Sequence, residues 1–543
     1  MALRVKDDAV QLEAIIGTNS AQTVAEGTVT IPSSMLAADR IVKVTAIPHI
    51  KEKWVEEDRV NVEGVIAVTL VYTGRSNTGQ AYYGNLEIAD GVPFSHFVDI
   101  PGVLPNMQSQ CDANILDLQS TVRSDGRTVD LDLVLEISAT ARESQELTLV
   151  TDAMVSAPDK LKVAKDTLRI EDLIGEGTAQ AELREMIPLS SGSTPILRLL
   201  ELQGQFRIAE KRVAVDRGII SGTMSYKAIC AAVNGDTGEE QVLVYRWDNI
   251  SRVELSAEIP GSRSGMIAYP QIAPPVISGR LLNEGQMLAV EGVLAAVVKV
   301  VQPRDVTVVT ELSSEGDLEV GVRREVIRIQ QLGDTAVKDI YVDGTVELSE
   351  SRPPLERLLD MEAKAAITSA SVVGGRALVT GYVDLGATYV GRADDFSQPV
   401  YHVTWSNAGI LETSISVPIA SALAGADVVA DVTIQDVRAE LLSRETIGFH
   451  VTATVSCRLQ QTISKEVVAE AVDLRKFKGR SPTYTCVTLQ PDDTLWKLAT
   501  KYRTSIESLL EGNPVLAEAV TAGDLPSVGG KLFITKSGIS SLV

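Results

Sequence analysis

The chain has 543 residues, length for about three or four domains with cores of their own. Apolar residues make up 45% of it and aromatics only 4%, so those cores must be built from Val, Ile, Leu and Ala. A formal charge of −22 excludes the basic face that nucleic acid or an anionic membrane surface requires.

Taken in chain order, the sequence repeats itself three times. Ile16-Gly17-Thr18, Ile174-Gly175-Glu176 and Leu332-Gly333-Asp334 place glycines at 17, 175 and 333, 158 residues apart on each step. Arg59-Val-Asn-Val-Glu-Gly64 matches Arg217-Gly-Ile-Ile-Ser-Gly222 and Arg376-Ala-Leu-Val-Thr-Gly381. Val150-Thr-Asp152, Val309-Thr-Glu311 and Val468-Ala-Glu470 close the units. A period this long makes each unit a whole domain, with units at 1–152, 153–311 and 312–470.

Each unit reads as β. Leu131, Leu133, Leu135, Ile137, Ala139 and Ala141 alternate with polar residues, and Val290 to Val300 and Phe449 to Leu459 repeat that parity. Period-two patterning predicts strands with one buried and one wet face. Val62 to Tyr72 and Ile219 to Ile229 predict a second strand set, and breakers recur at Ile100-Pro-Gly102, Ile259-Pro-Gly261 and Val417-Pro418. The fold class expected is mainly β: three tandem sandwiches or open barrels in an extended body. Segments 153–172 and 313–330 are charged and mixed, and read as linkers or as strands donated to a neighbouring repeat.

The chain offers little chemistry. His49, His96, His402 and His450 form no ligand spacing, and Cys111, Cys230, Cys457 and Cys486 form no CxxC pair. His450 and Cys457 fall on opposite faces of one predicted strand, with Cys457 in a small core slot. Gly175-Glu-Gly177-Thr-Ala-Gln180 lacks the last glycine of a dinucleotide fingerprint and predicts a shared turn. Pro260-Gly-Ser-Arg-Ser-Gly265 has Arg263 where a nucleophile elbow needs serine. No catalytic residue, metal site or cofactor is expected. The first eight residues lack an apolar h-region, and no stretch suits a transmembrane helix, so synthesis in a reducing cytoplasm is expected.

After Glu470 the pattern changes. Asp473 to Pro482, with four basic residues, reads as a tether within a linker at 471–483. Leu495, Leu498, Ala499 and Tyr502 then trace one helical face, capped by Asp493 or Thr494. Thr504-Ser-Ile-Glu507 opens a second helix that carries Ile506, Leu509 and Leu510 inward and ends at Gly512. With short apolar runs at Tyr484 to Leu489 and Lys531 to Thr535, residues 484–536 predict a β-α-α-β unit.

Leu489-Gln-Pro-Asp-Asp-Thr-Leu-Trp-Lys-Leu-Ala-Thr-Lys-Tyr502, Asn513-Pro514 and Val528-Gly-Gly-Lys-Leu532 resemble the LysM signature. The resemblance implies a groove for N-acetylglucosamine polymers at Asp492, Asp493, Thr494, Leu495, Asn513 and Pro514. Asp492 stands where the family usually has glycine, and its added carboxylate favours a protein ligand presenting Lys or Arg. The repeats, with Pro93-Phe-Ser-His-Phe-Val-Asp99 and Asp125-Gly-Arg-Thr128, resemble the SPOCS domain. Tandem SPOCS domains before one LysM resemble SipL-like spore coat morphogenesis proteins. That likeness implies a non-enzymatic coat-assembly role, synthesis in the mother cell, residence at the coat or forespore surface, and spore-envelope proteins as partners. Peptidoglycan or chitin-like glycan binding, and self-association into a fibre or layer, are the alternatives.

Overall fold

The computed structural model describes residues 3–75, 81–155, 160–189, 196–233, 240–315, 320–373, 376–392, 399–416, 426–473, 484–490, 493–502, 504, 506–514, 516 and 530–535. Repeat 1 comprises β1 (Arg4–Thr30), β2 (Arg40–Glu56), β3 (Arg59–Arg75), β4 (Ala81–Asp99), β5 (Gln108–Val122) and β6 (Thr128–Met154). Two antiparallel sheets, β1-β6-β5 and β2-β3-β4, pack face to face. The alternating residues Leu131 to Ala141 of β6 form the floor of that core, each at most 1% exposed.

Repeat 2 comprises β7 (Lys160–Pro188), β8 (Ile196–Ala214), β9 (Arg217–Val233), β10 (Glu240–Glu258), β11 (Ile267–Ile272), β12 (Val276–Leu282) and β13 (Met287–Glu315). Its fifth strand is split into β11 and β12, both paired to β13. Pro274 and Pro275 lie at the break, where a residue without an N–H cannot hold a ladder position. Repeat 3 returns to the six-strand plan with β14 (Val320–Glu347), β15 (Leu355–Val373), β16 (Arg376–Gly391), β17 (Val400–Ile415), β18 (Asp427–Leu441) and β19 (Thr446–Asp473).

The first and last strands of each repeat are far longer than a sandwich needs. In repeat 1, Gly17–Thr30 and Thr128–Ala141 belong to the sandwich, while Arg4–Ile15 and Arg142–Met154 continue beyond it as a two-stranded ribbon, about 40 Å long at strand rise. A register shift at Ile15/Gly17 divides the halves, and matching shifts occur at Val300/Val301 and Leu332/Thr335. The glycine motif read as a shared turn is therefore a bulge within a strand. At Gly17 a Cβ would lie 2.7 Å from Ile100 Cγ2, so the position is kept bare to let Ile100 plug the sandwich end. The charged segments 160–172 and 320–330 are the ribbon halves of β7 and β14. They pair with β13 and β19 of their own repeats, and so are neither linkers nor donated strands.

The three ribbons converge. Val10 and Leu149, Leu168, Ile170, Val306 and Val308, and Ile327, Ile329 and Val467 form one core drawn from all three repeats. Val150, Val309 and Val468, the anchors that close the units, meet in a second. At the other end Val42, Val71 and Tyr83 pack with Leu200, Ile229 and Val242 and with Val390 and Val400. The repeats thus close around a pseudo-threefold axis, and the extended body expected from tandem order is not formed. The joints repeat as well. Arg198 Nε donates to the Tyr83 carbonyl at 3.1 Å, and Arg40 Nη2 donates to that of Val400 at 2.7 Å. Lys299 pairs with Glu13 as Arg458 pairs with Glu171.

A tail unit follows, with β20 (Tyr484–Thr488), α1 (Leu495–Tyr502), α2 (Ile506–Glu511) and β21 (Lys531–Thr535). β20 and β21 are antiparallel, and Leu489, Leu498, Ala499, Leu509, Leu516, Leu532 and Ile534 make a core of their own. The tether read at 473–482 lies, after Asp473, outside the described residues, as does Val417-Pro418.

Candidate functional site

The tail site is built from two junctions. At the first, the Gln490 N–H donates to Asp493 Oδ2 at 3.0 Å and the Asp493 N–H returns to the Gln490 carbonyl at 3.2 Å, closing the loop after β20. Thr494 Oγ1 then accepts the Lys497 N–H at 3.1 Å, which makes threonine, rather than aspartate, the cap of α1. Leu498 and Ala499 are buried, with Leu495 and Tyr502 packed against them. Asp493 and Leu495 are half-buried and Thr494 exposed; Asp492 lies outside the described residues.

At the second junction, Asn513 Nδ2 donates to the carbonyls of Leu509 and Phe533, both at 2.7 Å, while its Oδ1 accepts the Phe533 N–H at 2.8 Å. Asn513 therefore pins the end of α2 to β21, and its amide is committed to the fold. Pro514 beside it is exposed. Ile506, expected to face inward, is 37% exposed, and α2 anchors instead through Leu509. Leu510 also packs against the core, so the expected inward face holds for Leu509 and Leu510 and fails only at Ile506, the first residue of the helix. Sequence reading missed Phe533, which is 61% exposed and paired across the ladder with the exposed Cys486. The alternation of Lys531–Thr535 would have placed Phe533 outward, opposite Leu532 and Ile534.

The repeats hold a second polar centre, on the pseudo-threefold axis. Lys43 Nζ lies 3.3 Å from Glu201 Oε2 and 3.2 Å from Glu362 Oε2. Lys227 Nζ lies 3.0 Å from Asp360 Oδ2 and 3.1 Å from Glu362 Oε2, and Arg246 also bonds Asp360. Burial alone would lower the Lys43 pKa, but Glu201 and Glu362 outweigh it and raise it. Burial likewise opposes ionisation of Glu362, yet Lys43 and Lys227 hold it at about 2. The cluster is thus a charged, self-neutralising core. A concavity of about 940 Å³ opens where the repeats meet, lined by Trp54, Met107 and Tyr269 among others. Its Lys299 and Arg458 are already engaged by Glu13 and Glu171.

Chemistry is sparse elsewhere. Cys111, Cys230 and Cys457 are buried, and burial pushes the Cys230 thiol up to about 12. His450 faces Asp343, away from Cys457. Among the described residues no group of three or more His, Cys, Asp or Glu is placed to hold a metal ion, and no helix is long and apolar enough to cross a membrane.

A family model described as SipL, SPOCS domain, matches residues 37–123, which are β2 to β5 and their connections. One described as LysM domain matches residues 487–534. The chain is SipL-like, SPOCS with a C-terminal LysM. No curated protein and no solved structure matches it. Both families are non-catalytic, and together they fit a sporulation-related protein with a wall-binding module. The SPOCS match covers four of the six strands of repeat 1, and the strand plan of that repeat recurs in the other two.

Proposed function

We propose that this SipL-like chain is a non-enzymatic assembly protein of the spore envelope. Its closed three-repeat body acts as a rigid platform, and the LysM unit acts as its recruiting arm. The observation that supports this best is the division of cores: each repeat has its own sandwich core and the three also share further clusters around one axis, whereas the LysM core draws on no repeat. A stiff body joined to a separately folded binding module suits scaffolding, where several weak contacts combine through effective concentration. Synthesis in the mother cell and residence at the forespore surface or coat follow from that role, with other envelope proteins as partners. Asp493, half-buried beside Asp492 in sequence, favours a LysM partner presenting Lys or Arg. Peptidoglycan binding is the second reading, supported by the LysM family itself. Closure of the repeats removes the free array ends that would motivate a fibre.

Fluorescent fusions of the full chain and of a chain ending at Asp473, expressed in sporulating cells, test the proposal. The full chain is expected to ring the forespore and the shortened one to disperse. Dispersed full-length protein would sink the assembly role. Sedimentation with purified peptidoglycan, equal for both chains, would remove the wall-binding reading.

A further inference from the structure

Lys43, Glu201 and Asp360 occupy one position in three repeats, on the same 158- and 159-residue steps that relate the motif glycines. All three are buried, at 5%, 3% and 4% exposure, beside the axis. One residue earlier stand Val42, Leu200 and Leu359, in the apolar layer that closes the ring without any charge. An apolar residue at the next position would have served closure equally well, since buried ion clusters add little net stability over well-packed hydrophobes. What charge does supply is discrimination among partners.

We propose that the axial charges specify the composition of the ring. Repeat 1 presents a buried lysine that accepts only carboxylate-bearing neighbours. A ring therefore closes from one Lys43 repeat, one Glu201 repeat and one Asp360 repeat, and not from three copies of repeat 1 or of repeat 3. Three copies of repeat 1 would bring three lysines to the axis, and three copies of repeat 3 would bring three Asp360 and three Glu362 there. Neither set would have Glu201, Lys227 and Arg246 of repeat 2 to neutralise it, a desolvated arrangement that association cannot sustain. The surrounding positions are differentiated in the same sense. Glu362 bridges Lys43 to Lys227, while the repeat 1 and repeat 2 residues on its steps are Thr45 and Gln203, both hydrogen-bonded to Glu201. The outer joints add direction. Lys299 of repeat 2 reaches Glu13 of repeat 1, and Arg458 of repeat 3 reaches Glu171 of repeat 2. On the same steps the residues at the third joint are Thr140 and Gln330, both uncharged in the sequence. The interaction surface of each repeat is thus fitted to a particular neighbour, and the chain is a covalently linked heterotrimer of SPOCS units.

The test uses the full chain with a protease site inserted between Ser156 and Asp159, cut after folding so that contacts alone hold repeat 1. Native mass spectrometry is expected to show the cut protein intact, with one repeat 1 per remainder. Lys43→Glu should weaken retention at least 100-fold, and adding Glu201→Lys to the remainder should recover at least tenfold of that. Such recovery by charge exchange is not expected of a purely local packing role. Where Lys43→Glu does not fold uncut, Lys43→Met replaces it, with an expected tenfold loss. Retention unchanged by either substitution, no recovery in the exchanged pair, or released wild-type repeat 1 assembling into its own trimer would each overturn the proposal.

Discussion

His402 shows how the axial cluster couples a single proton to the fold. Its Nδ1 lies 3.0 Å from Thr388 Oγ1 and its Nε2 3.8 Å from Glu362 Oε1. Burial first, and then Lys43, lower its pKa to about 4, against the opposing pull of Glu362, Glu201 and Asp360. The folded imidazole is therefore neutral where the unfolded one, near its ordinary value of 6.5, already takes up a proton. Stability from this group is full above about pH 6.5 and is lost as pH falls toward about 4, roughly 3 kcal/mol across the window. Glu362, held at about 2, adds its own loss lower down, as pH falls below its ordinary 4.5. His402→Gln is predicted to flatten the decline between pH 6.5 and 4 while leaving the steeper acid limb in place. Denaturant midpoints at pH 8, 6 and 4.5 measure it, and parallel curves for the two proteins would refute the assignment.

Among the elements, the LysM junctions separate two kinds of residue that the motif lists together. Asn513→Ala strips three hydrogen bonds that tie α2 to β21 and is predicted to cost about 2–3 kcal/mol of module stability. Thr494→Ala removes one cap and should cost about 1 kcal/mol. Thermal melts of the two full-length variants, followed by the near-ultraviolet signal of Trp496, rank them, and an equal or reversed order would contradict these roles. The strands and the small helices were legible in the sequence because burial on one face imposes a period, and Leu131 to Ala141 kept theirs throughout. The long ribbons were not, since Lys160 to Asp172 bury one side against other repeats and wet the other, so that charge masks the alternation. The motif glycines were legible as positions but not as conformations. Gly222 sits where a Cβ would meet the Arg207 carbonyl oxygen at 2.2 Å, opposite a register shift at Ile208/Glu210. Only the paired strand reveals that constraint. Local sequence carries a turn signal and a bulge signal in the same letter. The axial charges were hidden for a related reason: each looks like one of many surface ions until its equivalents are brought to one axis.

At the scale of the whole molecule, shared cores predict shared fate. The clusters around Val10, Val150 and Val42 each draw residues from all three repeats, so no repeat can release its ribbon without exposing the apolar faces of the other two. Independent tandem domains would melt separately, each with the enthalpy of its own residues. A ring held by common cores should instead melt as one unit. At roughly 0.7 kcal/mol per residue near 60 °C, a body spanning residues 3–473 gives about 330 kcal/mol, against about 110 for a single repeat. Scanning calorimetry is predicted to show one major transition whose van 't Hoff enthalpy approaches the larger figure. A minor transition from LysM should vanish in a chain ending at Asp473. Closure also concentrates consequence at the joints. A substitution at Lys43 should move the single transition as a whole, whereas a substitution in an independent domain would move one of three. A van 't Hoff enthalpy near the single-repeat value, or a peak that splits when Lys43 is replaced by methionine, would show that the repeats touch without sharing a cooperative fold.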